Sequence, residues 1–416
     1  MLQMAGAIAA EMLEAIFANF FIFFIYILII LYIKAQYQKY FELQIAVYGK
    51  PERSITEVAE HIILSGLIAG FAASFLTVAA GVTIEIDALK YLLYIMCLLM
   101  IIDLRLVCIS YAAGILAAIS IIFGRPQINI PSLLCLVAIL QLTESFLMRI
   151  NKKSGYVPVF IKHKDEIAGA FLIRRFWMVP IVFFTYLLQA SIISLDFVEG
   201  LPMFFGTPSI QGGAMALGMD CFIAVLCHTD ITITKHPEKK SIETSRMRFG
   251  YSIVLLMIAF ASIDIRWMEY IGVAFCLLGH EGIYFYSRYS ERTGAPIYSA
   301  VRRGLRIMDV LPGSHAQQMG LERGDIIMSI NKNDIQTDEG VREALRDFPC
   351  YTWIRVLGWD GKERTVEYRC YPAGYNSLGI ISVPREKEVT YKTEYFERIS
   401  ILQNIVNRFR GVDKMI

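Results

Sequence analysis

Apolar residues follow two patterns along this chain: unbroken runs before residue 285, and strand-like alternation with polar residues after Pro296. About nine runs fit the apolar-run rule: Ala15 to Ile33, Ile62 to Val82, Tyr91 to Ile102, Leu106 to Phe123, Ile130 to Met148, Trp177 to Leu195, Ala214 to Cys227, Gly250 to Ile263 and Trp267 to Ile283. A membrane-crossing helix needs roughly 20 apolar residues, so the third, seventh, eighth and ninth are short and could be tilted or re-entrant. After Pro296 the alternation predicts strands at Leu305 to Val310, Ile326 to Ile330, Trp353 to Leu357 and Arg364 to Cys370. Asp360-Gly361 predicts a hairpin turn, and Asp338 to Phe348 a helix capped by Thr337 or Asp338. From Glu386 on, Phe396, Ile399, Leu402, Val406 and Phe409 recur at helical spacing among Arg398, Arg408 and Arg410. That pattern suits an anionic leaflet, a partner helix or packing back on the domain. The layout is therefore an α-helical polytopic membrane bundle over 1–285, a linker over 286–296, a small α+β domain over 297–385 and an amphipathic tail over 386–416.

Composition supports the membrane class. Of 416 residues, 56% are hydrophobic and only 19% charged, well outside soluble norms. The net charge of +2 is too small to argue for nucleic acid. Basic residues cluster between the runs, at Lys34 to His61, Arg149 to Phe176 and Lys235 to Arg248, whereas Glu85 to Lys90 and Asp196 to Gly212 are not basic overall. The positive-inside rule then places the basic segments, and with them the carboxy-terminal domain, in the cytoplasm of a multi-pass cell-membrane protein. The eight cysteines contain no CxxC pair, and most lie in apolar runs, so they read as core residues of a reducing compartment. Glu11 and Glu14 stand where a signal peptide would carry basic residues, so no cleaved leader is expected.

Small residues at four-residue spacing, Gly66 with Gly70 and Ser110 with Gly114 and Ala118, let backbones approach closely. Packing within one bundle is preferred for them over a seam between copies in a homo-oligomer. Asp103 with Arg105, and Asp264 with Arg266, read as interfacial turns between short runs. His280-Glu281 tests an enzymatic reading, since membrane metalloproteases chelate zinc through His-Glu-x-x-His. Here Tyr284 occupies the second ligand position, and neither a Gly-x-Ser-x-Gly elbow nor a convincing Ser/Lys dyad is present. No catalytic residue, metal site or cofactor is therefore expected. A protease or its regulator remains the enzymatic alternative. A transporter or sensor, with a polar cavity lined by Glu144 or Asp220, is the other.

The segment Leu311 to Asn331 carries the most specific signal. Pro312-Gly313 turns the chain, Ser314 caps a short helix, Gly320 closes it, and Gly324-Asp325 turns into an apolar strand. This order resembles a bacterial PDZ domain, and Ser377-Leu-Gly-Ile-Ile-Ser-Val383 resembles its carboxylate-binding loop and groove strand, placed last as in a circularly permuted order. The resemblance implies that the amides of Leu378, Gly379 and Ile380 cradle a ligand carboxylate and that a ligand strand adds to the edge Ile380 to Val383, Ile381 within it, beside the helix. Leu345 would line the terminal pocket, and Asp338 and Arg342 would tune preceding ligand positions. Together with Asp103-Leu-Arg-Leu-Val-Cys-Ile-Ser-Tyr-Ala-Ala-Gly114, Arg175-Phe-Trp-Met-Val-Pro180 and Gly279-His-Glu281, these stretches resemble the polytopic PDZ proteins of Gram-positive bacteria typified by the division-site protein MinJ. That family resemblance implies a non-catalytic adaptor that touches membrane lipids and bridges a DivIVA-like pole protein to a MinD-like ATPase.

Overall fold

A computed structural model describes residues 1–17, 54–102, 106, 108–163, 166–188, 204–205, 215–347, 350–369 and 377–384, with 27, 30, 31, 34, 37, 38, 40–45, 47 and 48. Most of the run Ala15 to Ile33, the Asp103 to Arg105 junction, Phe348, Cys370 and the tail from Glu386 lie outside the described residues.

Among the described residues the apolar half opens with α1 (Leu2–Phe17), helical residues between 27 and 48, α2 (Ile55–Ala80), α3 (Ile86–Ile102), α4 (Ile109–Phe123) and α5 (Ile130–Ile150). Three strands follow, β1 (Tyr156–His163), β2 (Glu166–Leu188) and β3 (Met215–Thr232), then helices α6 (Pro237–Asp264) and α7 (Trp267–Thr293). The caps are local. Ser54 Oγ accepts from the Glu57 amide at 3.2 Å, and Asn129 Oδ1 from that of Ser132 at 3.1 Å, each satisfying an orphan donor of a first helical turn. Among the described residues three helices, over Thr56–Ala80, Ile130–Ile150 and Pro237–Asp264, are long and apolar enough to cross a membrane, and α4 is apolar but shorter.

Two of the runs correct the expected all-helical bundle. The described part of Trp177 to Leu195 lies in β2, and Ala214 to Cys227 falls almost wholly in β3. These strands pair antiparallel from Phe171 opposite Thr232 to Leu188 opposite Met215. A strand buried on both faces has no polar alternation, so its sequence reads like that of a buried helix. Composition inside the run favours a strand, because Ile181 to Tyr186 are all β-branched or aromatic. One face of the hairpin, including Trp177, Val179, Ile181 and Phe183, enters the main core with α4, α5 and α6. On the other face, Val182 and Phe184 meet Met4, Ile8 and Met12 of α1, and Phe176 and Met178 meet Tyr37, Tyr40 and Phe41.

A strand edge in apolar surroundings needs partners for its backbone. The edge of β2 away from β3 finds them in α2 and the turn after it. Ser74 Oγ accepts from the Val182 amide at 2.9 Å, and the Thr77 hydroxyl donates to the Val182 carbonyl at 2.6 Å. Phe184 exchanges backbone bonds with Val82 and Ile84 at 3.0 and 2.8 Å. Gly66 and Gly70 let the helix approach, since a Cβ on either would collide with the backbone carbonyl of Met178 or Pro180. Pro180, which has no N–H to satisfy, sits on this same edge. The small-residue stripe thus packs within the chain, against a strand. In α4, a Cβ on Gly114 would lie 2.6 Å from Leu277 Cδ2 of α7.

Helix α7 runs on to Thr293, through most of the stretch read from sequence as a linker, and delivers the chain to β4 (Tyr298–Ser299). Strand β4 pairs with β2 at Gly169 and Ala168. The carboxy-terminal domain comprises β5 (Leu305–Val310), α8 (His315–Gln318), β6 (Ile326–Ile330), β7 (Asn333–Asp334), α9 (Asp338–Asp347), β8 (Tyr351–Leu357), β9 (Glu363–Arg369) and β10 (Ile380–Ser382). Its sheet order is β10-β5-β6-β8-β9, with β7 beside β6.

Candidate peptide-binding groove

The groove region is built by short-range sequence signals. Ser314 Oγ accepts from the Gln317 amide at 3.3 Å to open α8, and Gly320 ends it with a φ of 74°. Thr337 Oγ1 accepts from the Gly340 amide at 3.2 Å at the start of α9. Gly361, with a φ of 77°, turns β8 into β9. Leu305, Ile307, Ile327, Ile330, Leu345 and Ile354 form the core that these elements enclose.

Strand β10 lies at the edge of this sheet. Ile380 pairs with Val310, Ile381 with Asp309 and Ser382 with Ile307, and among the described residues β5 is its strand partner. The preceding loop is fixed by the Leu378 carbonyl, which accepts from the Ala316 amide at 2.9 Å, and by the Gly379 carbonyl, which accepts from Leu311 at 2.9 Å. Gly379 has a φ of 73°, and a Cβ there would strike Ser314, so this loop requires glycine. At the other end the Ser382 hydroxyl donates to Asp338 Oδ1 at 2.5 Å and fastens β10 to α9.

The residues named from sequence divide by placement. Leu378, Gly379 and Ile380 form one loop and strand start, and Leu345 lies in the core cluster that includes Leu378 and contacts Ile380. Leu345 and Leu378 are both fully buried, so their side chains belong to the domain core as the groove stands. Asp338 is tied to β10, whereas Arg342 is exposed and pairs with Glu339 at 3.6 Å. Ile381 turns to the opposite face, where with Val383 it packs against Tyr156, Phe171, Ile173 and Tyr298. The period of two in a strand sends its neighbours to opposite sides.

That second face is a contact the sequence did not reveal. Buried Asp309 of β5 accepts from Tyr48 at 2.7 Å and also from Arg323 Nε. Arg323 donates to Tyr156 Oη at 2.8 Å and stacks over Tyr156 and Phe171 at 5.1 and 5.9 Å. Burial alone would lower the pKa of Arg323, but Asp309 and Tyr156 outweigh it and raise it. Burial and then Asp309 push the Tyr48 phenol well above its ordinary value, so it stays a donor. Gly169 of β2 permits this approach, with a Cβ there falling 2.8 Å from Met308 Sδ and 2.9 Å from Tyr298 Cβ. The one available signal was an aspartate at an inward position of the apolar strand Leu305 to Val310.

The residues raised for other chemistries lie elsewhere. His280 Nε2 is 3.5 Å from Cys108 Sγ, and Glu281 accepts from Tyr111. Glu144 accepts from Arg248 at 2.6 Å, and Asp220 Oδ1 from the Cys221 amide at 2.7 Å.

Residues 306–350 match the PDZ domain family. The chain is 27% identical over 128 residues to the cell division topological determinant MinJ of Bacillus subtilis (strain 168), a stretch covering 30% of this chain and 32% of that protein. It is also 27% identical over 84 residues to the protein named "Probable cell division topological determinant MinJ" of Lacticaseibacillus paracasei, covering 20% and 23% of the two chains. The chain thus carries a PDZ-family segment and resembles MinJ over part of its length. The aligned part spans about a third of the Bacillus subtilis relative. A PDZ domain implies protein–protein interaction, and the similarity connects the chain to division-site determinants.

Proposed function

We propose that this chain is a membrane-held, non-catalytic adaptor that captures partner polypeptides by adding a ligand strand along β10. The observation that carries the reading is the position of β10, at the end of the sheet, beside α9, with β5 as its strand partner among the described residues. Backbone hydrogen bonds along such an edge give affinity independent of sequence, and neighbouring side chains select. The Leu378 to Ile380 loop would receive a ligand carboxylate, with Asp338 and Arg342 beside the preceding ligand positions and Leu345 supporting the pocket from below. Residues 297–385 form the capture module in this reading, its late groove strand reflecting a permuted order. The apolar half anchors it on the cytoplasmic side of the membrane. Similarity to MinJ supports a role in division-site selection, in which the finer task is to bridge a DivIVA-like and a MinD-like protein.

The test uses the full chain in nanodiscs against a library of peptides with free carboxyl termini, read by fluorescence polarisation. Gly379→Asp places a side chain against Ser314 and a negative charge in the loop, so binding should fall by at least about tenfold. Its circular dichroism should match the wild type. Undiminished binding by that variant would remove the groove assignment. Leu345→Glu is a poorer probe, because it puts a charge into the core.

A further inference from the structure

Most buried cations near the hairpin have a carboxylate. Lys240 lies 2.9 Å from Glu291 and 3.7 Å from Asp230, and Arg248 lies 2.6 Å from Glu144. Arg175 of β2 differs. It is 3% exposed, and its Nε, Nη1 and Nη2 donate to the Ser154 carbonyl at 2.8 Å, the Ser241 hydroxyl at 3.0 Å and the Lys152 carbonyl at 3.1 Å. All three acceptors are neutral. A guanidinium has five N–H donors, so among the described residues Nη1 and Nη2 each retain one, and no carboxylate among them pairs with Arg175. His228, directly across the ladder from Arg175, has Arg248, Arg175 and Lys240 as its charged neighbours. A buried cation without an anion is costly, and the usual remedy is a counter-ion.

A cavity of about 70 Å³ adjoins this guanidinium, with Tyr37, Tyr40, Gln44, His61, Ser154 and Arg175 among its lining residues. A water's share of the liquid is about 30 Å³, so the space suits a group the size of a small oxyanion. Tyr37, Tyr40 and Trp177 in the wall are of the types enriched where a membrane meets water. Beyond His61, Leu64 and Ile68 of α2 are 62% and 65% exposed and offer an apolar track for an acyl chain. The requirements of an anionic headgroup meet here: a fixed positive charge, polar side chains around it and an apolar surface leading away.

We propose that this cavity binds a phosphate group with Arg175 as its anchor, the phosphate being that of an anionic phospholipid in the adjoining leaflet. The inference rests on the membrane placement proposed above. Arg175 then also acts as a positioning residue, since the guanidinium that receives the phosphate ties the 151–155 turn to α6 through Lys152, Ser154 and Ser241.

The experiment takes the full chain in uncharged detergent and titrates it with phosphatidylglycerol, phosphatidylcholine or inorganic phosphate, following the thermal midpoint. Phosphatidylglycerol should raise the midpoint saturably, and phosphatidylcholine at the same mole fraction should not. Arg175→Met should weaken the phosphatidylglycerol response by about tenfold or more, as expected for loss of a charge-assisted hydrogen bond. If that variant does not fold, His61→Leu and Gln44→Leu at the rim should each shift the titration to higher lipid. A midpoint that responds equally to both lipids, or an unchanged response in the folded variants, overturns the site. A response to inorganic phosphate alone overturns the lipid as its source. Flotation with phosphatidylcholine liposomes tests the membrane placement separately, because embedding does not need Arg175.

Discussion

Two strand edges in this molecule are treated in opposite ways. The outer edge of β2 lies within the apolar half and is closed residue by residue, by the Ser74 and Thr77 hydroxyls, by Val82 and Ile84, and by helix backbone brought close at Gly66 and Gly70. The edge strand β10 of the PDZ domain is secured at its ends, through Gly379 and Ser382, and pairs with β5. On the membrane placement and the ligand-strand reading proposed above, the difference follows from solvent. Hydrocarbon cannot satisfy an N–H or a carbonyl, so an edge there must be covered from within, whereas water tolerates an edge left for a visiting strand.

The comparison can be broken most severely at Gly66. Gly66→Leu would drive a side chain into the Met178 carbonyl, which cannot move aside without parting β2 from β3. The expected cost exceeds about 4 kcal/mol, the range kept for gross steric damage, and should show as loss of monodisperse protein after extraction. Next is the joint between the two regions. Arg323→Met leaves Asp309 buried with Tyr48 and without its cation, at a cost of about 2–3 kcal/mol once the partial exposure of Arg323 is allowed for. Proteolysis should then cleave between Thr293 and Leu305 sooner than in the wild type, while the apolar half stays intact. Thr77→Val is the mildest. It removes one donor from the Val182 carbonyl while conserving shape, and should lower stability by about 1–2 kcal/mol, read from the thermal midpoint in detergent. An unchanged midpoint would mean that the covered edge contributes less than its geometry implies.

The two halves were also unequally legible. In the PDZ domain the turns are written in residues with a single purpose, Ser314, Gly320, Gly324 and Gly361, and the strands between them alternate, so local sequence carries local structure. The β2–β3 hairpin has no such marks. Both of its faces are buried, its run of apolar residues is as long as a helix would need, and Pro180 is tolerated because it faces α2. The turn at Gly379 was legible through its glycine. The side to which Ile381 points was not, because its destination is a surface of the apolar half far away in sequence. Asp309, Arg323 and Tyr48 meet across 14 and 261 residues, distances over which periodicity carries no information.

Strand β10 is only three residues long, yet its side chains have two addresses. Ile380 leans on the PDZ core, while Ile381 rests with Tyr156 and Phe171 on the hairpin that runs into the apolar half. A tug on so short a rod cannot be absorbed along its length. In the proposed reading a strand added at β10 would press on both, on the PDZ core through Ile380 and on the mouth of the hairpin through Ile381.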